Sequence, residues 1–321
     1  MDCIKRYDWL DMAKGIGIIL VVLGHTLFPI HSAIDVFHMP LFFILAGFTL
    51  KVAKMDVFLL KKIDSIFIPY IFFSLASVPI SYLVPHEGVF NGPLWFLQTL
   101  FIALIIAQLI IKFVERKKTH NVMGGVIFAV IIYTWMLLQY DTQILPFNID
   151  RALRALPFVL IGYTVKYYLF AQSKRFQKYV LFVTSLLLFV FAFSVYFAFF
   201  RPNGNFKMGE IMQPCLPLFY LSALGGSFAV IGLSLIVNKV RILNWLGRNS
   251  LVIMCVHFPL AQWLNICMSQ TTYYVRGGAF IKGCISISIV SLCLCFGALC
   301  VAICKKTIPA LTGYKRNFII L

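Results

Sequence analysis

LDMAKGIGIILVVLGHTLFPI, residues 10–30, holds a carboxylate and a lysine near its start, a run of glycine and aliphatic residues, and a histidine at position 25. A helix crosses a bilayer with about 20 mostly apolar residues, within a range of about 17–25. Residues 15–31 meet that length. They do not read as a cleavable signal peptide. No small-residue cleavage site follows Pro29, and another apolar run starts at once.

The same reading extends along all 321 residues. Apolar runs at 15–31, 36–50, 66–84, 94–111, 122–140, 152–170, 179–200, 214–237, 246–268 and 279–304 predict ten spans. The second is short, and the sixth carries Arg154 and Lys166 near its ends. Composition agrees: 61% of residues are hydrophobic and 12% charged, where a soluble domain has about 45–50% and about 25%. A chain with mean hydropathy +0.92 has too little polar side chain to cover a soluble surface. A cytosolic enzyme, a disordered protein and a DNA-binding domain are excluded as simple readings.

The net charge of +17 fits membrane orientation better than a nucleic-acid partner. Twenty-two of the 28 Lys and Arg residues fall on one side of the predicted spans, alternating at every loop. That pattern predicts an all-α integral membrane bundle of about ten helices with both termini in the cytoplasm, multi-pass in the cell inner (plasma) membrane. Residues 1–321 read as one membrane domain, with no repeat, no low-complexity tract and no soluble domain. Most of the nine cysteines lie inside apolar runs, without metal-ligand spacing. They read as small hydrophobes, and no metal is expected.

Ionisable groups inside a bilayer are expensive, about 2.5–3.5 kcal/mol for Arg, Lys or Asp at a helix centre. His25 stands eleven residues after Lys14, about 16 Å along a helix and so near the middle of a hydrocarbon core of about 30 Å. Imidazole is suited to take and return a proton near neutral pH; the bland alternative is a core histidine bonded to a neighbouring helix. His257 lies nine residues past Arg248, about 13 Å deep by the same arithmetic. The two can share a cavity, or His257 can simply pack beside Pro259. His38 sits at the outer edge of span two, where a histidine is cheap. Asp11 and Lys14 form either a carboxylate–lysine pair on a capped helix start or a charged mouth beneath His25. On the outer side Asp35, Glu87, Trp95, Gln98, Arg151 and Arg154 make a polar set suited to a carbohydrate. Trp95 alone is explained by the aromatic belt, and Asn249 and Ser250 by helix N-capping.

The strings LDMAKGIGIILVVLGH, FHMPLFFILAGF, GPLWFLQTLF, ALPFVLIGY and LNWLGRNSLVIMCVHFPL occur in this order. Together they resemble the integral-membrane acyltransferase family 3, and within it the fucose 4-O-acetylase-like branch. The resemblance covers almost the whole chain, and the first two strings are its specific part. It implies transfer of an acyl group, usually acetyl, from cytoplasmic acyl-CoA to a hydroxyl of a carbohydrate. It also implies a basic residue followed eleven positions later by an essential histidine, here Lys14 and His25. A second basic pair linked to the donor, Arg-x-x-Arg in the family, is Lys62 and Ser65 here.

These readings combine into one expectation. Acetyl-CoA is the cosubstrate, its phosphates near Lys14, Lys51, Lys61 and Lys62. His25 is general base or transient acyl acceptor, with Asp11 and Lys14 beside it. The acceptor, a cell-surface carbohydrate or its lipid-linked precursor, meets Asp35, His38, Glu87, Trp95, Gln98, Arg151, Arg154 and His257. Membrane lipid is the other partner, and His257, Gln98 and Asn249 are candidate oxyanion donors. The competing class is a multi-span transporter or flippase for a lipid-linked glycan. The inverted repeats and paired broken helices common in carriers are not visible in the sequence.

Overall fold

The computed structural model describes residues 7–83, 92–116, 127, 129–130, 133, 146–171, 175–199, 215–237 and 239–312. Glu87 and almost all of the predicted span 122–140 lie outside the described residues. Every regular element among the described residues is helical. In chain order they are α1 (Asp8–Gly24), α2 (His31–Asp35), α3 (His38–Phe48), α4 (Met55–Lys62), α5 (Ile68–Leu83), α6 (Trp95–Arg116) and α7 (Ile149–Ala171). There follow α8 (Arg175–Phe199), α9 (Leu216–Val237), α10 (Arg241–Arg248), α11 (Ser250–Ser269), α12 (Thr272–Arg276) and α13 (Ala279–Thr307). A π turn, Ile63–Phe67, joins α4 to α5.

Six stretches among the described residues are long and apolar enough to cross a membrane: His31–Phe48, Gly92–Glu115, Gln177–Ala198, Pro217–Val237, Ser250–Ser269 and Ala279–Thr307. The outer helices show which solvent they meet. Leu187, Val190 and Phe191 on α8, and Ile287, Leu292 and Leu299 on α13, are all exposed. Water would penalise that much apolar surface at about 25 cal/mol per Å², whereas lipid tails do not. The hydroxyls on these faces turn inward onto their own helix: Thr184 donates to the Val180 carbonyl at 2.7 Å and Ser291 to Ile287 at 2.9 Å. Such bonds satisfy polar groups where no water is at hand. The chain is a membrane protein.

The core sits on α1 and α3. Ile18, Val21 and Val22 of α1 and Leu41, Phe43, Ile44 and Leu45 of α3 are buried. α1 packs on α10, α9, α11 and α3, and α3 packs on α7 and α9. Two of these crossings close through paired glycines. A Cβ added to Gly15 would stand 2.0 Å from the Leu243 carbonyl oxygen, and one on Gly247 1.8 Å from that of Asp11. Likewise a Cβ added to Gly47 would stand 2.0 Å from the Val159 carbonyl oxygen, and one on Gly162 2.1 Å from that of Ile44. In a bilayer, where burial of apolar surface drives little association, such close backbone approach is a main source of helix adhesion.

The structure corrects the boundaries of the first two predicted spans. The first helix begins at Asp8 and ends at Gly24, short of residue 31. The amides of His25 and Thr26 turn back to the carbonyls of Val22 and Leu23, and the Thr26 hydroxyl donates to Leu23 at 2.7 Å. Those bonds close the last turn tightly, and Pro29 has no N–H with which to resume the ladder. His25 is therefore the residue that caps α1, at φ −94° and ψ 11°, rather than one inside a continuous span. The second predicted span, 36–50, is helical over His38–Phe48, and a short helix, His31–Asp35, stands before it across the turn at Val36–Phe37. Asn249 also departs from expectation. No side-chain bond caps α11, and Asn249 Nδ2 instead donates to the Trp245 carbonyl at 2.7 Å, closing α10.

Candidate active site

A cavity of about 340 Å³ opens between α1, α3, the π turn, α6, α10 and α11. Its polar lining includes Asp11 and Lys14 from α1, Lys62 and Ser65 from the α4–π segment, and Arg248 from the end of α10. Asp11 is buried, and its Oδ2 lies 3.4 Å from Arg248 Nε. The π turn matters here: it shifts the helical register by one residue, and both Lys62 and Ser65 border the cavity. Lys51 and Lys61, expected beside them, do not border it and are exposed. Most of the remaining lining is apolar, with Phe42, Phe96, Leu100 and Met254 among it. Met254 stands one helical turn before His257.

Past Met254 lies a group of imidazoles from three helices. The rings of His25 and His257 have their centres 5.4 Å apart and are tilted by 40°. Phe258 meets the His25 ring edge-on at 5.2 Å. Asn265, two turns further along α11, donates to the His25 carbonyl at 2.8 Å. His257 is fully buried, with Nδ1 2.9 Å from the Met254 carbonyl and 3.2 Å from that of Ile253. A carbonyl only accepts, so Nδ1 carries the proton of the neutral ring and Nε2 carries the lone pair. His257 Nε2 has no hydrogen-bond partner among the described residues. His38 is pinned the same way, its Nδ1 2.8 Å from the Ile34 carbonyl.

Asp35 ties this group to α1. Its Oδ2 is 3.1 Å from His31 Nδ1 and its Oδ1 3.9 Å from His38 Nδ1. A Cβ on Gly24 would fall 2.8 Å from Asp35 Oδ1 and 3.8 Å from the His38 ring. A side chain at position 24 would therefore make that carboxylate shift. Asp35 and His38 are both buried, whereas His31 is half-exposed.

A second polar group forms where α6 and α7 begin. The Arg151 guanidinium lies over the Trp95 ring, 5.3 Å from its centre. Asn148 Nδ2 donates to Gln98 Oε1 at 2.7 Å and Arg151 Nη1 to Asn148 Oδ1 at 2.9 Å. Arg154, one turn on, is buried; its Nε donates to the Asp150 carbonyl at 3.4 Å, and its own carbonyl accepts from the Tyr220 hydroxyl at 3.2 Å. Phe147 and Asn148 both have φ of 59°, a left-handed turn that asparagine tolerates better than most residues.

The model of the acyltransferase 3 family, described as an acyltransferase domain, matches residues 7–305. The chain belongs to this family. The membrane acyltransferase thus carries the family match from α1 almost to the end of α13. No curated protein and no solved structure matches it. Within the acyltransferase, the predicted residues divide by place. Asp11, Lys14 and Lys62 meet at the cavity; Asp35, His38 and His257 meet around His25; Trp95, Gln98 and Arg151 meet at the start of α6. Sequence reasoning missed Arg248, Asn265 and Asn148 as site members. The signal for Asn265 was an amide, with Gln262 one turn before it, in the apolar run LAQWLNICM, the same kind of signal that singled out His25.

Proposed function

We propose that this membrane acyltransferase is a carbohydrate O-acetyltransferase of the fucose 4-O-acetylase-like branch. It moves acetyl from cytoplasmic acetyl-CoA to a hydroxyl of a cell-surface carbohydrate or its lipid-linked precursor. One observation carries the reading: a single cavity is lined by the cations Lys14, Lys62 and Arg248, by apolar side chains and by Met254, and Met254 stands one turn from His257, whose ring pairs with that of His25. The charged lining suits the phosphates of acetyl-CoA, the apolar lining suits its uncharged arm, and an imidazole one turn from Met254 suits the acetyl carbon. Lys62 and Arg248 supply the two cations that the family places on Arg-x-x-Arg, while Ser65 takes the second arginine's position.

In this reading His25 serves as general base. It draws the proton from the acceptor hydroxyl as the oxygen bonds to the acetyl carbon, the C–S bond breaks, and His25 returns the proton to the leaving sulfur. A transient acetyl-histidine is the variant of the same chemistry with His25 as nucleophile. The carbonyl end of α1 favours positive charge beside His25, which suits the imidazolium formed in transit. Trp95, Gln98, Arg151 and Arg154 receive the carbohydrate, with Asp35, His38 and His257 nearer the reacting bond. The topology that goes with this chemistry has ten spans, both termini cytoplasmic, in the cell inner membrane. α1, α5, α7 and the region 122–140 join the six longer apolar stretches in that count.

The test is mass spectrometry of surface glycans from cells with and without the gene. Loss of an acetyl group at one sugar position supports the reading. Identical glycans, with the protein present in the wild-type cells, contradict it. A flippase would instead change the amount of surface glycan and leave its acetylation per sugar unchanged.

A further inference from the structure

Three imidazoles share one level of the fold. The rings of His25 and His257 have their centres 5.4 Å apart, and a Cβ on Gly24, the neighbour of His25, would lie 3.8 Å from the His38 ring. None of the three lines the cavity. The lining residues on their helices all fall on one side of that level. On α1 the last of them is Lys14, ahead of His25. α3 runs back along α1: it starts at His38, and its Phe42 reaches Gly17, where an added Cβ would stand 3.0 Å from the Phe42 ring. Its first lining residue is Phe42, one turn after His38. α10 ends beside Asp11, which a Cβ on Gly247 would meet, and α11 climbs from there to His257. Its last lining residue is Met254, one turn before His257. Phe42 and Met254 are thus the side chains of the lining that stand next to the imidazoles, whereas Lys14 is about 16 Å from His25 along α1.

We propose that Phe42 and Met254 are the specificity-determining residues for acyl length, and that they hold the donor to acetyl. The proposal rests on the reading of the cavity as the acetyl-CoA site. With the coenzyme phosphates on the cations, the acyl group lies at the Phe42–Met254 layer when its carbonyl carbon meets an imidazole. The room left beside these two side chains then sets how many methylenes follow that carbon. Both are buried and both are held. The Phe42 ring packs edge-on against Phe96, with centres 6.0 Å apart, and against Gly17 of α1. Met254 is fixed through its backbone, whose carbonyl accepts from His257 Nδ1 at 2.9 Å. A longer acyl chain has to displace one of them. One methylene more or less in an apolar pocket discriminates about 10–200-fold, so two well-packed side chains suffice to exclude butyryl.

The test uses membranes of the source cells with the native gene deleted, which keep the natural acceptor and carry wild type or one variant. The donors are acetyl-, propionyl- and butyryl-CoA labelled in the acyl group. The readout is the ratio of kcat/KM for butyryl over acetyl, which a loss of folded protein leaves unchanged. In wild type butyryl is expected to be about a hundredfold poorer than acetyl, with propionyl between. Met254→Ala removes Cγ, Sδ and Cε, enough for the two methylenes that butyryl adds, and is expected to raise the ratio at least about tenfold. Phe42→Leu is expected to raise it as well. Leu104→Ala truncates the same lining elsewhere. Phe96 packs on Phe42, and Gln108 Nε2 donates to the Ala53 carbonyl at 2.7 Å, so α6 runs alongside α3 and Leu104 lies about 12 Å further from the imidazoles than Phe96. Its ratio is expected to stay within about twofold of wild type. A wild type indifferent to chain length overturns the proposal, as does an equal rise in Leu104→Ala. So does a ratio unmoved in Met254→Ala, or in Phe42→Leu should the first variant not accumulate. In each of these outcomes acetyl transfer itself stands. A wild type that transfers from none of the three donors defeats the acetyl-CoA reading and this proposal with it.

Discussion

Replacing Gly47 by alanine probes the crossing that holds α3, and with it His38, against the rest of the molecule. The new Cβ would start 2.0 Å from the Val159 carbonyl oxygen, and ordinary contact begins at 3.4 Å, so the helices must part by about 1.4 Å. The obstacle is backbone, so no rotamer change relieves it. Parting also loosens the reciprocal contact of Gly162 with Ile44. Overpacking of this kind costs about 1–3 kcal/mol. α3 carries His38 at its start and lines the cavity with Phe42 and Ala46. A misplacement of about 1 Å near a reacting centre can cost about a hundredfold in rate. The purified Gly47→Ala variant is therefore expected to lose thermal stability in detergent and to transfer acetyl ten- to about a hundredfold more slowly. Gly278→Ala is the control, because nothing lies within 4 Å of the added Cβ, and it is expected to match wild type in both assays. A Gly47→Ala protein with wild-type melting and wild-type rate would refute the close crossing of α3 and α7.

Three other substitutions separate the parts of the site. Arg248→Ala removes a cavity cation and is expected to raise KM for acetyl-CoA about tenfold with kcat nearly unchanged, since a hydrogen bond to a charged group is worth about 1.5–3 kcal/mol; initial rates against donor concentration check it. Asn265→Leu removes the bond to the His25 carbonyl together with Asn265 Oδ1, which has no hydrogen-bond partner among the described residues. Its stability is expected to stay within about 1 kcal/mol of wild type, while kcat falls, so a melting curve and a rate together read the anchoring role. Arg151→Leu uncovers Trp95 and frees Asn148; acceptor titration is expected to show weaker saturation at an unchanged KM for acetyl-CoA.

Much of the fold was legible because a bilayer leaves few choices. In lipid only helices and closed barrels satisfy their backbone, and an apolar run of this length without alternation reads as a helix, so runs such as 179–200 and 279–304 announce α8 and α13 directly. The spacing of Lys14 and His25 was legible for a similar reason: rise per residue converts sequence distance into depth. The same arithmetic put His257 at a level near His25, and their rings meet. What was not legible is where a helix stops inside an apolar run. Nothing in GIGIILVVLGHTLFPI marks Gly24 as the last helical residue, because the stop comes from the tight closing bonds of His25 and Thr26. Nor does a one-dimensional pattern show that Arg248 meets Asp11 or that Asn265 meets residue 25, since those contacts are made by the crossings of α1 with α10 and α11. The fold thus places Arg248 at the same cavity as Lys14 and Lys62, where the sequence has Ser65.

The central claim is that His25 performs the acetyl transfer, and it is tested most directly in cells expressing His25→Gln at wild-type protein level. Mass spectrometry of their surface glycans should show normal glycan amount with the acetyl group missing. Glycans acetylated to the wild-type extent in that strain would contradict the account.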